Sequence, residues 1–226
     1  IKIDRVETMT DKTIMIAGAS SGIGKACAEK MAGSGNQLIL LARDETRLNL
    51  LAEKLPCDTL VISYDLFQTE NIKQIFETVR EKQWKLDAMV YSAGMDANCP
   101  FKVNSVNLLE KTMTLNCFSF FEMCKFFYSA RYSNEGGSIV AISSIASELF
   151  MPGQGPYTVS KAAMNAGIKT MSKEFVRRRI RVNAVLPAGV STPMSERKTE
   201  VFMIYLERYN ISFWRRLNEQ RNFRNR

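Results

Sequence analysis

Six short apolar runs recur along the chain, at residues 13–17, 37–42, 60–63, 88–91, 138–142 and 182–186, with helix-length segments between them. A run of this length without polar alternation is a strand buried on both faces, as strands are in parallel sheets. The intervening segments carry a different period. Leu48, Leu51, Ala52 and Leu55 share one face of residues 45–55, and Ile72, Ile75, Phe76 and Val79 share one face of the next segment, which is the pattern of an amphipathic helix. Strand and helix in regular alternation predict an α/β fold: βαβ units with right-handed crossovers and a doubly wound parallel sheet covered by helices on both sides. One domain is expected over residues 9–194, with residues 1–8 as an N-terminal extension and 195–226 as an atypical basic tail.

The first run opens directly into Gly18-Ala19-Ser20-Ser21-Gly22-Ile23-Gly24, and Lys25 to Ala32 continues as a helix. Glycines so placed permit a tight turn and let the backbone approach a pyrophosphate. They also leave the N–H groups and positive dipole end of the new helix facing the anion. A purely structural turn is the alternative, but the strand–turn–helix context favours nucleotide binding on a Rossmann-type sheet. The second run ends at Ala42, where an NAD-preferring protein has an acid for the ribose 2′-hydroxyl; here Arg43 follows instead. A 2′-phosphate would accept charge-assisted hydrogen bonds from that guanidinium, so NADP(H) is expected over NAD(H). The competing reading is a solvated arginine paired with Asp44 or Glu45.

Chemistry must come from other groups than the usual ones. The chain has no histidine and five scattered cysteines with no C-x-x-C pair, so no metal site is expected, and a reducing, cytoplasmic location is. Tyr157 and Lys161 lie four apart at the start of a helix, where both side chains point from one face. Ser144 follows the fifth run, Ala93-Gly94 follows the fourth, and Asn116 lies in the helix between them. The carboxyl edge of a doubly wound sheet is where its ligands bind. Tyrosine beside lysine is then the best acid–base device available, although Ser144 read alone could be a helix cap and Asn116 a satisfied core amide.

Taken together these motifs resemble the short-chain dehydrogenase/reductase family over residues 10 to about 194. The resemblance implies Asn116, Ser144, Tyr157 and Lys161 as the catalytic set. It also implies a cofactor held by Gly18, Ser20, Ser21, Gly22, Ile23, Gly24, Arg43, Ala93 and Gly94, with Asp65 and Leu66 at the adenine. Tyr157 and Lys161 would also contact the cofactor, Lys161 gripping the nicotinamide ribose, and Pro187, Gly189, Val190 and Thr192 would embrace the nicotinamide. Tyr157 would exchange the proton, Lys161 would tune it, and Asn116 would hold a water leading from Lys161 to solvent. The implied activity is hydride transfer between NADP(H) and a small or medium carbonyl or alcohol; the alternative is a nucleotide-binding sensor that no longer turns over. Ala17 stands where the family has threonine, Tyr91-Ser92 where it has two asparagines, and Ala188 where it has glycine, departures expected to loosen the bracing of the site.

The longest uncharged stretch, residues 182–195, has 14 residues, short of a membrane span, and nothing near the start resembles a secretion signal. Net charge is +8, and residues 195–226 hold eight Arg or Lys against four Asp or Glu. Nucleic-acid binding is not expected, because Trp214 and Phe223 among those arginines form no recognised module. Arg131, Arg177, Arg178, Arg179 and Arg181 offer either a face for an acidic acyl-carrier protein or a solvated helix end. Residues 195–226 lack the seventh strand and glycine-rich end that the resemblance implies, as a frameshifted, alternative or divergent ending would. A homodimer is therefore expected rather than the family's tetramer, with an exposed sixth strand and low activity.

Overall fold

Residues 13–17 are apolar enough to lie in the middle of a sheet, and in the computed structural model they do. The structure describes residues 10–33, 35–150 and 152–194. Among these, six strands form one sheet in the order β3-β2-β1-β4-β5-β6, every neighbouring pair parallel. The strands are β1 (Thr13–Ala17), β2 (Gln37–Ala42), β3 (Asp58–Ser63), β4 (Leu86–Tyr91), β5 (Ser133–Ile142) and β6 (Arg181–Val185). The helices are α1 (Gly22–Met31), α2 (Glu45–Ala52), α3 (Lys73–Glu81), α4 (Val106–Met113), α5 (Ser119–Tyr128), α6 (Ala146–Leu149) and α7 (Gly155–Glu174). A π-helical turn, Thr114–Phe118, joins α4 to α5.

Alternation along each strand divides the core into two layers. Ile14 and Ile16 of β1 join Leu38 and Leu40 of β2, Ala28 of α1 and Leu48 of α2 on one face. Met15 and Ala17 join Met89 and Tyr91 of β4, Phe76 of α3, Phe120 of α5 and Met164 of α7 on the other. Burying one such aliphatic or aromatic side chain contributes roughly 1.5–3 kcal/mol, so these layers hold α1, α2, α3, α5 and α7 against the sheet.

The strand order reverses between β1 and β4: the chain leaves β1 toward β2 and β3, then returns to β4 on the other side. That reversal opens a crevice above the carboxyl ends of β1 and β4, the place where open α/β sheets take ligands. The chain divides into two units, residues 1–188 and 189–226, and all the named strands and helices belong to the first. Among the described residues β6 pairs with β5 alone. The expectations for residues 1–8 and 195–226 lie outside the described residues.

Candidate active site

The glycine-rich turn is held by contact rather than by capping. Gly18 has φ +87° and Gly22 φ +53°, conformations that glycine adopts without strain. A Cβ on Gly18 would stand 2.7 Å from the Ala93 backbone nitrogen, and one on Gly24 would overlap the Gly18 carbonyl and Ser92 Oγ. Ser92 Oγ donates to the Ala17 carbonyl at 2.7 Å, so the end of β4 is tied to the end of β1 beneath the turn. Ser21 precedes α1, yet its side chain caps none of the helix N–H groups, and the first turn carries no acid. Those donors and the positive helix end suit a phosphate group, and the residues present therefore fit a dinucleotide.

Arg43 follows β2 and is exposed. Its backbone is fixed by Ser63 Oγ, which donates to its carbonyl at 3.0 Å. Asp44, the partner that a surface pair would need, caps α2 instead. One of its oxygens accepts from the Arg47 N–H at 3.0 Å and the other lies 3.1 Å from Arg47 Nε. Among the described residues Arg43 has no carboxylate partner. Asp65 turns the chain after β3, with Oδ1 accepting from the Phe67 N–H at 3.1 Å. Leu66 is buried in the core layer, which leaves only its backbone to face a ligand.

Ser144, Tyr157 and Lys161 converge at the carboxyl end of β5. Tyr157 is hydrogen-bonded to Ser144. Ser144 Oγ also accepts from the Ala146 N–H at 3.1 Å, so it caps the first N–H of α6 while facing Tyr157. Lys161, only 4% exposed, places Nζ 5.9 Å from the centre of the Tyr157 ring and donates to the Ile142 carbonyl at 2.7 Å. Burial pushes the Tyr157 hydroxyl above its ordinary pKa; the bond to Ser144 opposes this and the charge of Asp96 adds to it. With no cofactor bound the group is a protonated phenol at neutral pH.

Asn116 is completely buried in the π turn. Its Oδ1 accepts from the Met95 N–H at 2.7 Å, and its Nδ2 donates to the Met95 carbonyl at 2.9 Å and to Ser160 Oγ at 2.9 Å. The amide is thus filled, as the core-amide reading has it, and it clamps the loop after Gly94. Gly94 leaves the space: a Cβ there would lie 3.1 Å from Asn116 Oδ1 and 3.7 Å from Lys161 Nζ. Ser160 Oγ continues to the Tyr157 carbonyl at 2.7 Å.

Three features were not foreseen in the sequence: the π turn, Ser160, and the bracing by Tyr91 and Ser92. Of these, only Ser160 had a signal, since it lies one helical turn after Tyr157. The expectation that Tyr91-Ser92 loosens the site is corrected, because both hydroxyls are hydrogen-bonded at 2.6–2.7 Å. Pro187 ends the β6 side, its carbonyl accepting from the Ile145 N–H at 3.1 Å; Gly189, Val190 and Thr192 belong to the second unit. Much of the arginine cluster is engaged within the fold. Arg131 pairs with Glu77 at 3.3 Å, Arg179 pairs with Glu135 at 3.4 Å, and Arg178 donates to the Ser133 carbonyl at 2.9 Å. No cluster of potential metal ligands occurs among the described residues.

A family model described as short chain dehydrogenase matches residues 12–201. Over 192 residues the chain is 31% identical to the 3-oxoacyl-[acyl-carrier-protein] reductase FabG of Thermotoga maritima, covering 84% of this chain and 78% of that one. It is 29% identical over 194 residues to the NAD-dependent glycerol dehydrogenase of Listeria innocua, covering 86% and 76%. A solved dehydrogenase/reductase from Sinorhizobium meliloti superposes with a TM-score of 0.78 at 28% identity, over 83% of this chain and 75% of that one. Sequence match, sheet order and the tyrosine, serine and lysine assembled at the ligand-binding edge agree, and the chain belongs to the short-chain dehydrogenase/reductase family of oxidoreductases.

Proposed function

We propose that this chain is an NADP(H)-dependent oxidoreductase that interconverts a small or medium carbonyl with its alcohol, using Tyr157 as general acid and base. The observation that carries the reading is the buried Tyr157 hydrogen-bonded to Ser144 with the Lys161 ammonium beside its ring. Gly18, Ser20 to Gly24, Arg43, Asp65, the Leu66 backbone, Ala93, Gly94, Pro187, Gly189, Val190 and Thr192 would hold the cofactor. When bound, the nicotinamide supplies or takes the hydride.

Ser144 positions the substrate oxygen by hydrogen bonding while Tyr157 gives it a proton as negative charge develops there. In reduction the raised pKa is useful, because the phenol stays protonated until it is needed. In alcohol oxidation the phenolate is needed, and Lys161 together with the positive charge of the oxidised cofactor favours it. The Asn116 side chain braces the loop and α7. A water link from Lys161 to solvent would therefore use the Asn116 backbone carbonyl.

Arg43 supports NADP(H) over NAD(H), since it follows directly on Ala42, the neutral residue at the position where a carboxylate would otherwise meet the 2′-hydroxyl. The Listeria relative is named as NAD-dependent, so the preference is a property to be measured on this chain. Phe118 and Phe121 are exposed on the π turn and α5 and Val159 on α7, a covered face in the homodimer we infer. The five thiols are free, and no helix among the described residues is long and apolar enough to cross a membrane; both suit the cytoplasmic location we infer. Following NADPH oxidation by absorbance across a panel of ketones, aldehydes and oxoacyl thioesters tests the activity. Turnover of at least one class is expected. NADPH binding with no turnover on any class would replace this reading with that of a nucleotide sensor.

A further inference from the structure

Tyr91 is the last residue of β4, fully buried in the layer beneath α5 and α7. Its phenolic oxygen lies 2.6 Å from the Leu115 carbonyl oxygen and 2.6 Å from Ser119 Oγ, and Ser119 Oγ lies 2.8 Å from the same carbonyl. Two hydroxyls thus meet one carbonyl oxygen, in the turn where the Ser119 N–H reaches back five residues to the Thr114 carbonyl. A π turn weakens the regular backbone ladder locally, and such turns persist where other groups support them. Asn116 is the next residue after Leu115, and its amide clamps both polar groups of the Met95 backbone and Ser160. Burial holds the Tyr91 hydroxyl well above its ordinary pKa, so it is a permanent neutral donor and takes no part in proton exchange.

We propose that Tyr91, with Ser119, is a positioning residue. By holding the Leu115 carbonyl it fixes the π turn that aims Asn116 at Met95 and Ser160, and so sets the spacing between the loop after β4 and the helix carrying Tyr157 and Lys161. The line runs from the Tyr91 hydroxyl through the Leu115 carbonyl to the Asn116 amide, Ser160 Oγ and the Tyr157 carbonyl, with side chains drawn from β4, the π turn, α5 and α7. Its effect on turnover rests on the proposed activity; its effect on the Met95 clamp does not.

The test compares the unmutated chain with Tyr91→Phe and Ser119→Ala, the second variant guarding against misfolding of the first. Three quantities are read: amide hydrogen exchange at Met95 and residues 114–119, the NADPH dissociation constant, and kcat on the best carbonyl of the panel. Losing one net hydrogen bond in this line should speed exchange at Met95 by about fivefold, lower kcat by roughly three- to tenfold through misplacement, and leave NADPH affinity within about twofold. Unchanged exchange at Met95 in both variants overturns the proposal. So does acceleration of all core amides together, which would mark a contribution to global stability alone. If the unmutated chain reduces no carbonyl, the functional reading fails, while exchange at Met95 still decides whether Tyr91 positions Asn116.

Discussion

Replacing Arg43 by alanine should remove the preference for NADPH over NADH. The guanidinium sits just past β2 on a backbone fixed by Ser63, and the neighbouring Asp44 is occupied by Arg47. A 2′-phosphate would take up to two charge-assisted bonds, each worth roughly 1.5–3 kcal/mol where water is excluded. Arg43 is exposed, and solvent and salt discount such an interaction heavily, to about 1–2 kcal/mol in total. That corresponds to a Kd ratio of roughly five- to thirtyfold between the two nucleotides. The assay is a fluorescence or calorimetric titration of NADPH and NADH on both proteins at low and high ionic strength. Arg43→Ala should weaken NADPH alone, and added salt should shrink the ratio for the unmutated chain. Equal affinities in the unmutated chain, or an equal loss for both nucleotides in the variant, would refute the role given to Arg43.

Gly24→Ala would drive a methyl group into the Gly18 carbonyl and Ser92 Oγ; backbone on one side leaves no easy relief, so a loss of about 1–3 kcal/mol in denaturant-measured stability and abolished NADPH binding are expected. Glu77 accepts from the Tyr132 hydroxyl and from Arg80 and lies near Arg131, which together hold its carboxyl down to about 2. Its folded pKa lies below the unfolded one, so its stabilisation is complete above the unfolded value and is lost as pH falls toward about 2. The acid limb of Tm against pH should therefore flatten in Glu77→Gln. Light scattering coupled to size exclusion should report a dimer, and Phe121→Arg should yield monomers if the face bearing Phe118 and Phe121 is the interface.

Periodicity fixed what depends on apolar burial. β1 and β2 are legible to the residue, because all five positions of β1 and five of the six in β2 are buried. β5 begins at Ser133, five residues before the apolar run, since its polar start of Asn134, Glu135 and two glycines passes the irregular pairing with Leu86 and carries no apolar signal. α1 starts at Gly22 rather than at Lys25: Gly22 enters the helix with φ +53°, open to glycine, and Gly24 carries no apolar side chain to mark the first turn. α2 ends at Ala52, short of Leu55, because Pro56 follows directly and disfavours helical backbone at Leu55.

The site divides in the same way. Tyr157 and Lys161 share a helix face by spacing alone, whereas the Ser144 bond and the Asn116 clamp are tertiary and depend on where β4, β5 and α7 meet. The π turn has no compositional mark. Tyr91 and Ser92 looked like losses because the sequence shows which side chains depart from a pattern and not what the replacements reach. On the sheet, alternation sends Ser92 to the glycine-rich turn and Tyr91 to the π turn.

Tyr157→Phe removes the proposed proton donor and little else. The ring keeps its packing at 8% exposure while the hydroxyl hydrogen-bonded to Ser144 is lost. Steady-state reduction should fall by about 10²–10⁴-fold, with the NADPH dissociation constant within about twofold of the parent. A phenylalanine variant that turns over within about threefold of the unmutated chain would assign the proton to a group other than Tyr157.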